Sequence, residues 1–133
     1  VPIVVDASIT LAMLFEDERT AAVEATWQRV AAEGGIAPAH FPIEVANGIL
    51  MAVRRGRFDT RDAAGMFGVI VSLAIGTDAG AASDAFEHAE RHRLTVYDAA
   101  YLELAMRRGM PLATLDKALL AAARAVGIVV LGA

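Results

Sequence analysis

Four acidic residues stand where they can act together: Asp6, Glu44, Asp98 and Asp116. Asp6 closes the apolar run that begins at Ile3. Asp98 stands where a run from Leu94, containing the β-branched Thr95 and Val96, passes into a helix. Asp116 follows the apolar segment Pro111–Thr114. Glu44 is the only charged residue in PIEVANGILMAV, and it shares a helical face with Asn47, Gly48 and Met51. Each acid alone has an ordinary reading as a helix cap or surface charge. Taken together, three of them follow strands, and strand ends of a parallel sheet meet along its carboxyl edge, where ligands bind. Two like charges ~5 Å apart at an effective dielectric of ~20 repel by roughly 3 kcal/mol. A cluster of four therefore needs cations, or protonation of some members. Oxygen-only donors favour Mg²⁺ or Mn²⁺ over zinc, which prefers His and Cys. Such ions activate water and stabilise phosphoryl transition states, so phosphodiester hydrolysis is the chemistry that best uses this site.

The elements that must position these acids alternate between short apolar runs and helical periods. Ile3–Asp6 reads as a strand, followed by a helix over Ile9–Phe15 with Ser8 as candidate N-cap. Thr20–Glu33 is a helix stopped by Gly34-Gly35, and Ile36-Ala37 a minimal strand. Phe41–Arg55 is the helix of Glu44. Another helix opens at Asp59-Thr60, with Ala63, Met66, Phe67, Ile70 and Val71 at core spacing. Ala74–Gly76 is a brief strand. Thr77-Asp78 is expected to cap a helix from Ala79 to about His92 that buries Ala82, Ala85, Phe86 and Ala89. The run from Leu94 is then a strand, leading to the helix of Asp98 and its basic end, Arg107-Arg108-Gly109. Strand Pro111–Thr114, helix Lys117–Ala125 and strand Ile128–Leu131 close the chain. This order predicts an α/β fold with a central parallel sheet covered on both faces.

Composition narrows the class. At 133 residues, without repeat or linker, residues 1–133 read as one domain. The absence of cysteine excludes disulfide frameworks and thiolate sites. The longest nearly apolar run, Met66–Gly76, falls short of the ~20 residues that span a bilayer. Asp6 interrupts the first apolar run, and a cytoplasmic protein with no membrane association is expected. A net charge of −4 argues against indiscriminate coating of nucleic acid, although if several acids gather in one pocket and bind cations the remaining surface can be neutral or locally basic. Arginines at helix ends are commonly solvated, but Arg54, Arg55, Arg107, Arg108 and Lys117 are also the available phosphate contacts. His88 and His92 have a metal-capable spacing without a third ligand nearby, and His40 stands alone. Trp27, Ile49, Leu50 and Val53 read first as core and second as part of a partner groove.

VVDAS at Val4–Ser8, PIEVANGI at Pro42–Ile49, TVYDAAYLELA at Thr95–Ala105 and ATLDKAL at Ala113–Leu119 together resemble the four acidic motifs of PIN-domain ribonucleases. The VapC toxin group of bacterial toxin–antitoxin pairs is the nearest likeness. The first motif is weak alone; the last two, at this distance, are specific. The resemblance spans nearly the whole chain and implies a three-layer α/β/α sandwich. It also implies a Mg²⁺- or Mn²⁺-dependent endoribonuclease held inactive by a VapB-like antitoxin, and a homodimer. It carries the family's acids onto Asp6, Glu44, Asp98 and Asp116, and its supporting polar positions onto Ser8, Asn47 and Thr114. Two rivals stand beside it. A non-catalytic interaction protein would bind a basic partner segment in the acidic pocket. A small phosphatase is the weaker rival, because the chain has neither a Gly-rich phosphate loop nor a DxD motif.

Overall fold

The computed structural model describes residues 1–133. Five parallel strands form one sheet in the order β3-β2-β1-β4-β5. The strands are β1 (Ile3–Val5), β2 (Gly35–Pro38), β3 (Gly76–Asp78), β4 (Leu112–Ala113) and β5 (Val130–Leu131). Seven helices flank them: α1 (Ala7–Leu14), α2 (Ala21–Glu33), α3 (Phe41–Arg54), α4 (Thr60–Leu73), α5 (Ala82–His92), α6 (Val96–Arg108) and α7 (Lys117–Ala125). This is the α/β/α sandwich with a central parallel sheet that the motifs imply. Its middle strand, β1, is buried at every residue, as a strand covered on both faces must be. Full burial of side chains such as Ile3, Val4 and Val5 contributes about 1.5–3 kcal/mol each, which makes β1 the natural anchor of the sheet. No helix is long and apolar enough to cross a membrane.

The strand order fixes where a ligand belongs. β1 pairs with β2 on one side, in the register Ile3↔Gly35 and Val4↔Ile36. On the other side it pairs with β4, in the register Val4↔Leu112 and Val5↔Ala113. The chain runs outward through β2 and β3, then crosses back to β4. The crevice between the carboxyl ends of β1 and β4 is therefore the topological switch point of the sheet.

Several local expectations are corrected. Leu94–Tyr97 forms no strand: Thr95 is the N-cap of α6, its hydroxyl accepting the Asp98 amide at 3.1 Å. The β-branched pair Thr95-Val96 imitates a strand, but cap chemistry prevails. Asp6, not Ser8, caps α1, accepting from the Ile9 amide at 3.1 Å. β3 lies over Gly76–Asp78 rather than Ala74–Gly76, and α5 starts at Ala82 rather than Ala79. On α5 the buried residues are Ala85 and Ala89, whereas Phe86 is 58% exposed. On α4 only Met66 is buried, with Phe67 and Val71 exposed. α4 is apolar on more than one side, so the period alone cannot choose its inner face, and on α5 the buried face is turned toward His88 and His92, away from Phe86.

Candidate active site

Asp6 and Asp116 come from the sheet. Asp6 follows β1 directly, and its amide donates to the Ala113 carbonyl of β4 at 3.2 Å. Its side chain is only 5% exposed and meets three donors. The Ser8 hydroxyl donates to Oδ1 at 2.6 Å, the Ile9 amide to the same oxygen at 3.1 Å, and the Thr114 hydroxyl to Oδ2 at 2.5 Å. Both hydroxyls are held in turn by backbone, because Ser8 Oγ accepts the Leu115 amide at 2.9 Å and Thr114 Oγ1 the Asp116 amide at 3.0 Å. With those amide protons received, each hydroxyl directs its own proton to Asp6. Despite the three donors, burial pushes Asp6 up to about 6, and the Asp116 charge adds to the rise. No cation of the protein pairs with it. Asp116 caps α7, its Oδ2 accepting the Leu119 amide at 2.9 Å.

Glu44 and Asp98 come from helices. Phe41 and Pro42 open α3, with proline in the first turn as helices tolerate, and Glu44 lies in that same turn. Gly48 lets α3 close on α1, since a Cβ there would collide with the Leu11 side chain. Glu44 Oε1 accepts the Tyr101 hydroxyl at 2.8 Å and lies 2.9 Å from His40 Nε2. His40 Nε2 also lies 3.1 Å from the Tyr97 carbonyl, so one ring joins the start of α3 to the first turn of α6. Tyr101 is buried; burial, and then the neighbouring Glu44 charge, push its phenol well up, so it remains a donor. Burial raises Asp98 as well, followed by the Asp116 charge, while the Thr95 hydrogen bond and nearby His40 lower it.

The four predicted acids thus share one electrostatic neighbourhood at the switch point, Asp98 reaching it from a helix start rather than from a strand end. No three acidic or histidine side chains are gathered closely enough to hold an ion by themselves. The donor set is nevertheless of the type Mg²⁺ or Mn²⁺ accepts. Such ions keep several waters and use one or two carboxylates together with substrate phosphate oxygens. A buried carboxylate without a cationic partner is what such an ion would satisfy. Ser8 and Thr114 stand beside Asp6 as the motifs imply, whereas Asn47 is exposed and makes no side-chain hydrogen bond.

The basic residues do not converge on the acids. Arg54 is ten residues beyond Glu44, or ~15 Å along the helix axis, and Arg55 follows it. Arg57 is bound to Asp17 and Glu18, at 3.0 Å each, and lies over the rings of Phe15 and Phe58. Arg107 and Arg108 both clasp Asp78, at 2.7 and 2.6 Å, and Arg107 also binds the buried Glu103 at 2.6 Å. Those two arginines hold Asp78 down, to about 2. Lys117 alone of the five stands next to a site acid, exposed in the first turn of α7. Sequence reasoning missed His40 and Tyr101 as partners of the acids. His40 had a signal in its spacing, four residues before Glu44, whereas Tyr101 reaches Glu44 across 57 residues of chain and had none. His88 and His92 stack with centroids 6.3 Å apart, away from any third ligand. Trp27 is core, its indole N–H donating to the Ile9 carbonyl at 3.1 Å. Its edge also lines the largest groove, about 970 Å³ between α1, α2 and α4, which none of the four acids reaches.

Comparison with known proteins agrees with this architecture. The model of the PIN domain family matches residues 3–125. Ribonuclease VapC3 of Pyrobaculum aerophilum is 34% identical over 121 residues, 88% of this chain and 91% of that protein. The crystal structure of PAE2754 from Pyrobaculum aerophilum superposes with a TM-score of 0.76 at 24% identity, covering 98% of this chain and 89% of that one. Mycobacterium tuberculosis VapC20, a sarcin–ricin-loop-cleaving toxin, superposes with a TM-score of 0.62 at 18% identity, covering 96% of each chain. The two superpositions speak to the fold.

Proposed function

This chain belongs to the PIN-domain family, and we propose that it is a toxin-type endoribonuclease that depends on Mg²⁺ or Mn²⁺ and hydrolyses RNA phosphodiester bonds at Asp6, Glu44, Asp98 and Asp116. The observation that carries this reading is Asp6, a carboxylate buried at the switch point with no cationic partner and with the Asp116 charge close enough to act on both it and Asp98. The similarity to ribonuclease VapC3 supports RNA as the substrate.

Asp6 and Asp98 are the foremost candidates to hold the cation, with Glu44 beside them and Asp116 completing the negative pocket. Bound there, the ion would lower the pKa of a water and stabilise the charge of the phosphoryl transition state. The protein's own part is orientation. Ser8 and Thr114 fix both oxygens of Asp6, and being locked as donors they favour its ionised form. Tyr101 and His40 both engage Oε1 of Glu44 and leave Oε2 without a hydrogen-bond partner. Thr95 caps the backbone at Asp98, so that the carboxylate is presented from a fixed first turn.

The test is cleavage of a structured RNA pool by purified protein with Mg²⁺, with Mn²⁺ and with chelator, alongside Asp98→Asn. The expected result is metal-dependent cutting that the variant loses while keeping its circular dichroism and melting temperature. Cutting that survives the variant or the chelator would overturn the assignment.

The same buried negative charge favours a partner. A VapB-like antitoxin that places a cationic side chain among the acids would compete with the ion and hold the enzyme inactive. Equimolar antitoxin should then suppress cleavage, and added metal should relieve it. Tight binding of a basic peptide by a protein that cuts no RNA would favour the non-catalytic reading instead. A homodimer is expected in solution, and light scattering decides it.

A further inference from the structure

Beside the acids lies a second, narrower cleft of about 250 Å³, which shares two walls with them. His40, the partner of Glu44, and Tyr97, the neighbour of Asp98, stand at one end, and Glu103 and Arg107 at the other. Resting on the proposed ribonuclease activity, the geometry points to this cleft as the subsite for one unpaired nucleobase next to the scissile phosphate, with Tyr97 as its stacking surface.

Three observations carry the assignment. Tyr97 is 64% exposed, while its carbonyl meets His40 Nε2 and its ring packs edge-on against the His40 ring at 5.5 Å, so a flat and largely open ring is held beside the cleft. Alanines at 79, 81, 82, 85 and 100 line the cleft, the first three of them exposed, and leave a slot that larger side chains would fill. The charges at the far end are already spent. Arg107 donates to both oxygens of Asp78 and of Glu103, and the Gly80 amide donates to Asp78 Oδ1 at 2.9 Å. A cleft whose ion pairs are internally satisfied offers little to a phosphate or a metal. It suits a neutral planar group with hydrogen-bonding edges. Single-stranded RNA presents such groups, and proteins commonly take splayed bases on aromatic rings. The loop bearing Gly80 lies directly over the ion pair, since a Cβ at Gly80 would stand 3.3 Å from Glu103 Oε2. The backbone of that loop thereby forms one wall of the slot, where it can meet a base edge.

The experiment compares the wild type with Tyr97→Ala, Tyr97→Phe and the slot-filling Ala82→Leu, on single-stranded RNA oligonucleotides randomised around the cut. Binding is followed in parallel by quenching of 2-aminopurine placed at each position of an oligonucleotide, in the Asp98→Asn background. Tyr97→Ala and Ala82→Leu should raise KM roughly tenfold, as loss of one stacked base does, and flatten the base preference at one position, with kcat little changed. They should also abolish quenching at that position, and Tyr97→Phe should retain both. Unchanged KM and base preference in variants that cut RNA would overturn the subsite and leave the nuclease standing. Quenching that depends on Tyr97 in a protein that cuts nothing would keep the subsite and overturn the nuclease. Neither quenching nor cutting would overturn both.

Discussion

Replacement of Asp6 by asparagine should stabilise the folded protein near neutral pH while abolishing its activity. Burial lifts Asp6 from 3.8 to about 6, so the folded state holds a proton that the unfolded chain has already released. Stability therefore falls as pH rises from about 4 to about 6 and stays lowered above that. The rise of about two pK units corresponds to ~3 kcal/mol. Asparagine never ionises and escapes this cost. It loses something in exchange, because Ser8 and Thr114 both direct protons at Asp6 and the new amide nitrogen must face one of them. One lost hydrogen bond costs about 1 kcal/mol, leaving a net gain of about 1–2 kcal/mol at pH 7.5. The geometric loss is the same at every pH, whereas the ionisation term is not. Between pH 4.5 and 7.5 the difference between the two proteins should change by about 2 kcal/mol in favour of asparagine. Urea denaturation in chelator at both pH values measures it. Adding Mg²⁺ should stabilise the wild type and leave the variant unmoved. A stability difference that does not vary with pH would refute the reasoning, because it would mean that Asp6 is ionised at no cost in the fold.

Tyr101→Phe keeps the buried ring and removes the donor to Glu44. It should cost about 1 kcal/mol in denaturation and slow cleavage several-fold without abolishing it; an unchanged rate would show that Glu44 needs no such tether. Asp78 is held near 2 by Arg107 and Arg108, so its stabilising contribution is present above the ordinary carboxylate range and is lost as pH falls through about 2. Asp78→Ala should therefore lower stability at pH 7 and flatten the acid limb of the stability curve below pH 4, read from melting temperatures. An identical acid limb in the two proteins would exclude that role.

Much of this site was legible because strand ends and caps leave strong local signatures. Asp6 and Asp116 each follow an apolar run and precede a helix, and a parallel sheet brings such positions to one edge whatever the loops do. Asp98 was assigned to the wrong element: Thr95-Val96 has strand-like branching, and only the Thr95-x-x-Asp98 spacing betrays a helix start. What stayed hidden depends on how helices cross. Asp78 meets Arg107 across 29 residues of chain and Arg108 across 30, and no pattern in either segment announces that contact. The inner faces of α4 and α5 were misjudged for a related reason. Phe67, Val71 and Phe86 satisfy a helical period as well as the residues that are actually buried, and the helices they pack on, α3 and α6, decide between them.

The site is assembled from two halves with different tethers, and this bears on why its carboxylates stand apart. Asp6 and Asp116 are fixed by the paired strands β1 and β4, and the Thr114 hydroxyl ties the two together by accepting from the Asp116 amide and donating to Asp6. Glu44 and Asp98 ride on α3 and α6, which His40 and Tyr101 lock to each other. Drawing the halves into direct contact would add like-charge repulsion to the burial that already lifts Asp6 and Asp98. Holding them apart leaves room for a hydrated cation and a phosphate, which together supply the positive charge and the missing oxygen ligands. On the proposed reading, the resting protein keeps its acids separated and full occupation of the pocket would require ion and substrate together. A cage of touching carboxylates would bind the ion without substrate and leave no coordination position for phosphate oxygens.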